Sequence, residues 1–450
     1  MTRLWDRGEG IDAAVLRLTV DRDPELDLDL VPWDCLASAA HAAMLESIGI
    51  LDTDELGAIR TELEAIRHEA LAGRFVIEPE DEDGHTAIEN RLTERLGEAG
   101  RKIHTGRSRN DQVIAALRLW GRQVIVEQVA GVLAVVESLL GLAEAHAETT
   151  VPGYTHTRQA MPTTLGHHFA AWADNLLDDL AWLWTAFGHL NRSPLGSASG
   201  FGVGLPLDRQ MVSDLLGFER PQENTLAVQN DRGKSEYLAL GAAAATATDL
   251  ARLAADLIRY SSEELGFVRL STEVTTGSSI MPQKRNPDVL ELVRAGAART
   301  RSRQAEVGAI YGGLSAGYHR DLQLTKEPFL AGMRSLVDML TAMGHVLDSL
   351  EVDAERCREA LEPSTGATDV VIERVREGAP FRDAYREAAA ASEETSADDG
   401  RAEAWRARTH LGAPGDPSLA SLRSRCRRES ERLARVRQSL PTTSPRGSNG

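Results

Sequence analysis

The fold is decided by residues 112–146, which read QVIAALRLWGRQVIVEQVAGVLAVVESLLGLAEAH. Apolar side chains recur there at the spacing of one helix face over many turns, and runs of β-branched residues are scarce in the whole chain. The most apolar part, residues 124–142, is interrupted by Glu127, Gln128 and Glu137, which is typical of a buried helix and not of a membrane span. The stretch therefore predicts a long helix in the core of a soluble protein.

Four more segments carry the same helical periodicity. We place their helices at residues 163–190, 235–262, 288–311 and 328–350. The five segments predict an all-α protein built on one bundle of long helices. Such a bundle leaves apolar faces that favour packing between subunits, so we expect an oligomer.

The composition changes twice along the chain, which predicts three domains. These are a mixed helical domain over residues 1–110, the long-helix bundle over 111–352, and a small helical domain over 353–450. The last of them ends in a Ser-, Thr-, Pro- and Gly-rich tail, residues 438–450, which is predicted to be disordered.

Charge and cysteine content limit the partners and the compartment. Lys and Arg number 50 against 68 Asp and Glu, a formal net charge of −18, so the overall field repels nucleic acid and anionic membranes. An anionic substrate consequently needs a local cationic pocket. The arginines within residues 423–437 are interpreted as a solvated helix face, because acidic residues interrupt them and no aromatic residues are interleaved. Three widely spaced cysteines and an N-terminus without a signal-peptide pattern indicate a cytoplasmic protein.

A Gly- and Pro-punctuated loop, GSSIMPQKRNP at residues 277–287, places a hydroxyl, a cation and an amide close together. Removing a proton beside a carboxylate creates a doubly charged intermediate, which needs preorganised donors such as Lys284 and Asn286. Ser278 can take such a proton only if Lys284 and backbone N–H groups stabilise its alkoxide-like form. Ordinary turns use the same residue types, but the complete string is far more specific than a turn requires. It indicates a loop for carbanion chemistry.

A second motif, RKIHTGRSRNDQ at residues 101–112, stands immediately before a predicted helix. The N-terminus of a helix favours negative charge, so Ser108, Arg109 and Asn110 are candidate donors to a carboxylate. The alternative is that Ser108, Asn110 or Asp111 merely caps the helix, which does not explain the three basic residues crowded beside it.

A third motif, PGYTHTRQAMP at residues 152–162, also precedes a helix. His156 is suited to proton transfer at neutral pH, and Thr155 adds a neighbouring hydroxyl donor. Since a solitary histidine is more often structural, the residues alone leave the role of His156 open.

A fourth motif, GYHRDLQLTKE at residues 317–327, offers Tyr318, Gln323 and Lys326 as polar contacts near the end of a helical hairpin. Its His-Arg-Asp-Leu run is similar to a kinase catalytic loop, but Lys326 stands where that loop requires asparagine. The kinase interpretation therefore fails.

Nucleotide and metal signatures are incomplete. The run before Lys234 has Val228 where a phosphate-binding loop needs glycine, and the glycines near residue 200 do not complete a dinucleotide fingerprint. The histidines lack the spacing of metal ligands. We therefore predict no nucleotide site and no metal site.

The four motifs and two longer strings, IENRLTERLGEAGRKIHTGRSRNDQV and TGATDVVIERVREGAPFRDAYREA, resemble the argininosuccinate lyases of the fumarase/aspartase superfamily. The resemblance covers most of the chain. It implies a three-domain, all-α fumarase/aspartase-like fold whose central bundle forms a 20-helix core in a homotetramer. It also implies that each active site is assembled from three subunits.

The resemblance further implies reversible elimination of argininosuccinate to arginine and fumarate, through a carbanion stabilised as an aci-carboxylate and without a cofactor. Ser278 and His156 match the family's proton-transfer pair, whose division of roles stays open. Matched substrate contacts are Thr155, Asn110, Lys284 and Asn286 for the succinyl carboxylates, and Tyr318, Gln323 and Lys326 elsewhere; Ser108 and Arg109 are added from the second motif.

Departures from the family pattern concern the substrate more than the reaction. Residues 157–160 differ from the commoner Leu-Gln-Arg-Ala, and residues 19–23 do not clearly supply a serine that many members use. An alternative is therefore a related carbon–nitrogen lyase that acts on a different N-succinyl amine or amidine. A non-enzymatic structural protein with the same fold is a further alternative, against which the intact Ser278, His156 and Lys284 argue.

Overall fold

The computed structural model describes residues 12–78, 81–391 and 401–441. Within these ranges the α-helices are α1 (Ala13–Val20), α2 (Asp23–Asp27), α3 (Val31–Ser47), α4 (Thr53–Leu71), α5 (Gly84–Leu96), α6 (Glu98–Lys102), α7 (Arg109–Ala145), α8 (Leu165–Leu190), α9 (Arg209–Leu215), α10 (Thr225–Asn230), α11 (Lys234–Tyr260), α12 (Asp288–Tyr311), α13 (Lys326–Asp348), α14 (Ala354–Glu359), α15 (Ala367–Arg376), α16 (Phe381–Ala391) and α17 (Leu419–Ser439). Short 3-10 helices cover Thr272–Val274, Arg320–Thr325, Pro363–Gly366 and Arg401–Ala407.

The strands are short and pair two by two. The pairs are β1 (Thr150–Thr155) with β2 (Arg158–Thr164), β3 (Arg192–Ser193) with β4 (Arg220–Pro221), β5 (Val268–Arg269) with β8 (Glu351–Val352), and β6 (Thr276–Gly277) with β7 (Arg285–Asn286). All are antiparallel except the pair of β3 and β4.

The five long helices α7, α8, α11, α12 and α13 form a central bundle. α7 packs along α8 and α13, and α11 packs along α8, α12 and α13. Each of the five segments predicted to be helical is helical, with ends that differ from the prediction by a few residues. The prediction of an all-α fold with a central bundle of long helices is therefore confirmed.

The core helices α7 and α11 are long and apolar enough to cross a membrane if only length and composition are considered. Within the fold, however, 61% of the most apolar window of α7 and 56% of that of α11 is buried. The polar interruption at Gln128 is also buried, and its Nε2 donates to the Met333 carbonyl of α13 at 2.7 Å. The prediction that this stretch is a buried core helix is confirmed.

The hairpin of β1 and β2 was not predicted. The helix expected to begin at residue 163 begins at Leu165, because residues 158–164 form β2. Thr155 pairs with Arg158, so His156 and Thr157 form a two-residue turn with φ values of 51° and 61°. Positive φ at both positions is what the tightest hairpin turns require, and asparagine and glycine usually supply it.

The C-terminal helix α17 returns to the bundle and packs on α7 and α8. Two of its arginines face acidic side chains there. The ion pairs join Arg423 to Glu137 and Glu144, and Arg425 to Asp174 and Asp178. Both arginines are half-buried, and these ion pairs add contacts to α7 and α8 that the sequence did not predict. The three-domain division stays a prediction, and residues 442–450 of the tail lie outside the described residues.

The bundle has two ends, which we call the near end and the far end. At the near end, α7, α11 and α13 begin and α12 finishes. At the far end, α7 and α11 finish, and α8 and α12 begin next to the β1–β2 hairpin and the residues 277–287 loop. A helix rises about 1.5 Å per residue, so the 24 residues of α12 separate the two ends by roughly 36 Å.

Asp179 of α8 is a buried acid without full hydrogen bonding. It is 8% exposed, and its Oδ2 has no partner among the described residues. Burial, followed by the nearby Asp249 and Asp178 carboxylates, raises the pKa of Asp179 to about 7. The folded state consequently favours the protonated acid, and its stability falls as the pH rises from the ordinary value near 4 towards 7 and stays lowered above that.

We therefore expect Asp179→Asn to raise the midpoint of thermal unfolding at pH 8, by about 2 °C or more, because the amide removes the buried charge. At pH 5 the gain should shrink, since the wild-type acid is already protonated there. Differential scanning calorimetry at both pH values measures the difference, with Asp338→Asn on the exposed face of α13 as control. An equal gain at both pH values would contradict the assignment.

Candidate active site

A cavity of about 370 Å³ opens at the near end of the bundle. Six of the residues predicted for the site line it together: Ser108, Arg109, Asn110, Tyr318, Gln323 and Lys326. The remaining polar lining comes from the N-terminal segment, from α5 and its approach, from the turn before α7, from the turn before α11 and from the 3-10 helix before α13. These residues are Thr19, Asp23, Asp27, Glu82, Asp83, His85, His104, Arg232 and Arg320. The cavity therefore mixes both signs of charge, as a ligand with cationic and anionic groups requires.

The second motif forms the start of α7 in this cavity. Ser108 is the helix N-cap: its Oγ accepts the Asn110 N–H at 3.3 Å, and its own N–H is donated to Asp111 at 2.9 Å. The capping alternative therefore holds for Ser108, while its side chain still lines the cavity. Arg109 turns towards the acidic approach to α5 and pairs with Asp83 at 2.9 Å and Glu82 at 3.4 Å.

Lys326, at the start of α13, is tied to the N-terminal segment. Its Nζ donates to Asp27 at 2.5 Å and to Asp23 at 2.9 Å, and all three side chains are largely buried. Burial alone would lower the pKa of Lys326, but attraction to Asp27 and Asp23 outweighs it and raises that pKa. Gln323 is also tied to the N-terminal segment, because its Nε2 donates to the Thr19 carbonyl at 2.9 Å. These two residues therefore hold one wall of the cavity in place.

We expect Lys326→Met to destabilise the protein, because it leaves Asp23 and Asp27 buried without their cation. Breaking a buried ion pair typically costs about 3–5 kcal/mol. Thermal unfolding measures the loss, with Lys234→Met as the matched variant, since Lys234 is an exposed lysine that begins α11. Equal unfolding temperatures for the two variants would contradict this role of Lys326.

His85 is a cavity residue that the sequence did not suggest. Its Nδ1 lies 2.5 Å from Asp34 Oδ2, whose other oxygen accepts the Ser38 hydroxyl. Burial alone would lower the pKa of His85, but Asp34 and then Asp83 and Asp27 outweigh it and raise the pKa. In the sequence, His85 lacks the spacing of a metal ligand and carries no other signal. Asp34, the partner of His85, is 51 residues away in the sequence. Only the position of His85 between an acidic loop and a helix could therefore have indicated its role.

The loop of residues 277–287 lies at the far end, between the paired strands β6 and β7. The Ser278 Oγ accepts the backbone N–H groups of Met281 at 3.1 Å and Ile280 at 3.3 Å. Such donors stabilise an alkoxide-like oxygen, as the sequence argument required. Lys284 is exposed and Asn286 is half-buried. The Ile280 side chain, 82% exposed, shows that this loop has no covering element within the described chain.

The hairpin that carries Thr155 and His156 also lies at the far end, and both side chains are exposed. The hairpin is anchored below its tip. The Arg259 guanidinium lies 4.1 Å from the centre of the Tyr154 ring, and Gln159 donates to the Ala360 carbonyl at 2.6 Å. The exposed turn is thus fixed in place by its base.

Within one chain, the predicted site residues consequently fall into two groups. Six residues meet in the near-end cavity, while the Ser278 loop and the His156 hairpin stand roughly 36 Å away, at the opposite end of α12. The sequence indicated the individual motifs but not that they fall into these two groups.

Comparison with known proteins extends these observations. A family model described as "Lyase" matches residues 21–301. The argininosuccinate lyase of Sorangium cellulosum (strain So ce56) is 44% identical over 423 residues, which cover 94% of this chain and 98% of that protein. The chain belongs to the argininosuccinate lyase family. Another member, from Thermotoga neapolitana, is 43% identical over 85% of this chain and 96% of its own.

Solved structures agree with the fold of this lyase family. A crystal structure of EDDS lyase in complex with formate superposes with a TM-score of 0.79 at 25% identity, covering 96% of this chain and 94% of that one. A fumarate lyase from Mesorhizobium sp. BNC1 shares the fold with a TM-score of 0.68 at 20% identity, over 96% of this chain and 99% of that one. The prediction of a fumarase/aspartase-like fold is confirmed.

Proposed function

We propose that this chain is a carbon–nitrogen lyase that eliminates fumarate from argininosuccinate and releases arginine in arginine biosynthesis. Support comes from relatives of that name that match nearly the whole chain. The observation that carries the chemistry is the Ser278 hydroxyl, which accepts two backbone N–H groups on a loop that also bears Lys284 and Asn286.

One member of the pair Ser278 and His156 removes a proton from the carbon beside a succinyl carboxylate. The electron pair left on that carbon is delocalised into the carboxylate as an aci-carboxylate, which Lys284, Asn286 and Thr155 stabilise by donated hydrogen bonds. These electrons then form the carbon–carbon double bond of fumarate, and the carbon–nitrogen bond breaks. The guanidino nitrogen keeps the bonding electrons and, protonated by the other member, leaves as arginine.

The working unit is a homotetramer in which three subunits contribute to each site. The substrate must touch residues of both groups at hydrogen-bond distance, about 3 Å, whereas the two groups in one chain stand roughly 36 Å apart. Antiparallel packing of bundles from different chains would bring the near end of one against the far ends of others. The exposed Ile280 and the exposed His156 turn are then covered by neighbouring subunits.

The near-end cavity binds the substrate. Asn110 donates to a succinyl carboxylate, and Ser108, Arg109 and Tyr318 complete the polar wall. Gln323 and Lys326 contact the substrate from the wall that they also hold together. The enzyme works in the cytoplasm and its steps need no cofactor, since every proton and electron pair stays within substrate and side chains.

The test is to incubate the purified protein with argininosuccinate and to follow the ultraviolet absorbance of fumarate, with arginine quantified by chromatography. We expect equimolar formation of both products. If argininosuccinate is not cleaved while another N-succinyl amine or amidine releases fumarate, the related lyase is the correct function. Fumarate release from none of these compounds would contradict both.

A further inference from the structure

Arg232 is a buried cation on the wall of the near-end cavity. It stands between α10 and α11, and the residue is 4% exposed. Its guanidinium lies over the ring of Tyr318, 5.6 Å from the ring centre, and both residues line the cavity. The N–H donors of a guanidinium lie along its edge. A ring that covers one face of the group therefore leaves these donors available to a ligand.

The guanidinium has little of the hydrogen bonding that burial demands. Within the described part of the chain, the Arg232 Nη2 donates to the Leu322 carbonyl at 3.4 Å, and the buried Nε has no hydrogen-bond partner. Guanidinium groups carry five N–H donors, so most of this group's capacity is unused. Asp23 and Glu236 are near enough to feel its charge, but neither forms an ion pair with it.

Other cations on the cavity wall, half-buried or buried, differ in this respect. Arg109 pairs with Asp83, Lys326 with Asp27, and His85 with Asp34. Among the described residues, Arg232 is therefore the buried cavity cation that lacks a carboxylate at ion-pair distance. Because a buried charge without a partner is costly, such a group is suited to an anion supplied by a ligand.

Resting on the proposed function, we propose that Arg232 binds the α-carboxylate of the arginine half of the substrate. The succinyl half must reach Lys284 and Asn286 of the far-end loop. Asn110 contacts the same half, so the rest of the cavity is left for the amino-acid half. The acidic side chains there suit its ammonium and guanidinium groups, and Arg232 offers a planar fork that can bind a carboxylate through two parallel hydrogen bonds. Arg232 thus selects an amino acid over the corresponding amine.

The test compares arginine with agmatine, which is arginine without its α-carboxylate. Inhibition constants of both compounds are measured against argininosuccinate cleavage, for the wild-type enzyme and for Arg232→Gln, Arg232→Lys and Arg60→Gln. Arg60 is an exposed arginine of α4 and serves as control.

Wild type and Arg60→Gln should bind arginine about 100-fold more tightly than agmatine, as expected for a buried charge pair. In Arg232→Gln the inhibition constant of arginine should rise to within about tenfold of that of agmatine, whose own constant stays unchanged. Arg232→Lys should lie between, because it keeps the charge and loses the planar fork.

Equal weakening of arginine and agmatine in Arg232→Gln would overturn the proposal and make Arg232 a structural residue. Unchanged binding of both would overturn it as well. Failure of the wild-type protein to cleave argininosuccinate would instead contradict the proposed function, so the two failures are distinguishable.

Discussion

Ser278→Ala should release fumarate at least about a thousandfold more slowly than the wild type, because it removes one of the two groups to which we assign proton transfer in the proposed reaction. The loss should appear in kcat, with KM little changed, since the succinyl carboxylates keep their donors on Lys284 and Asn286. The folded chain should be as stable as before. The Ser278 hydroxyl is half-buried on an exposed loop, and its recorded hydrogen bonds are to neighbouring backbone N–H groups.

Ser279→Ala is the matched control, because Ser279 is the adjacent serine on the same loop and is exposed. Steady-state kinetics should place it close to the wild type. If Ser278→Ala retained wild-type kcat, or if the two alanine variants lost activity equally, the assignment of Ser278 would be wrong.

The long helices were predictable because their apolar periodicity persists over many turns and agrees with the packing that the bundle needs. α12 has the predicted bounds, and the others begin or end a few residues away. The start of α7 was placed at Gln112, three residues late. The three residues missed, 109–111, belong to the first turn of α7. Ser108 and Asp111 form a capping box there, which apolar periodicity does not reveal.

The β1–β2 hairpin escaped prediction because its turn uses His156 and Thr157 where asparagine or glycine is the usual signal. A β-branched residue such as Thr157 at positive φ is strained, and strain of this kind is common at functional sites. The sequence pattern thus failed at the turn that carries His156, one of the two residues to which we assign proton transfer.

The candidate site was only half predictable for a different reason. Each motif contains several polar residues within a few positions, so local sequence identifies it. His85 and its partner Asp34, and the carboxylates that hold Lys326, belong to contacts across 51 and about 300 residues. Such contacts depend on how α2, α3, α5 and α13 pack, which no local pattern encodes. Arg232 was likewise part of a polar stretch with no distinguishing spacing.

The separation of the two residue groups leads to the second large effect. Ser278→Ala and Asn110→Ala alter opposite ends of the bundle, and each variant alone should be nearly inactive. If the site takes Ser278 from one chain and Asn110 from another, a mixed oligomer contains intact sites. Random mixing of equal amounts should leave about a quarter of the sites intact, by the combinatorics of a symmetric oligomer.

Co-expression of differently tagged Ser278→Ala and Asn110→Ala chains, followed by purification of the mixed species, measures this directly. The matched control mixes Ser278→Ala with Asn286→Ala, whose altered residues lie on one loop and are supplied by one chain, so no site is restored. We predict fumarate release near a quarter of the wild-type rate in the first mixture and none above background in the control. No recovery in the first mixture, from oligomers shown to contain both chains, would contradict an active site shared between subunits.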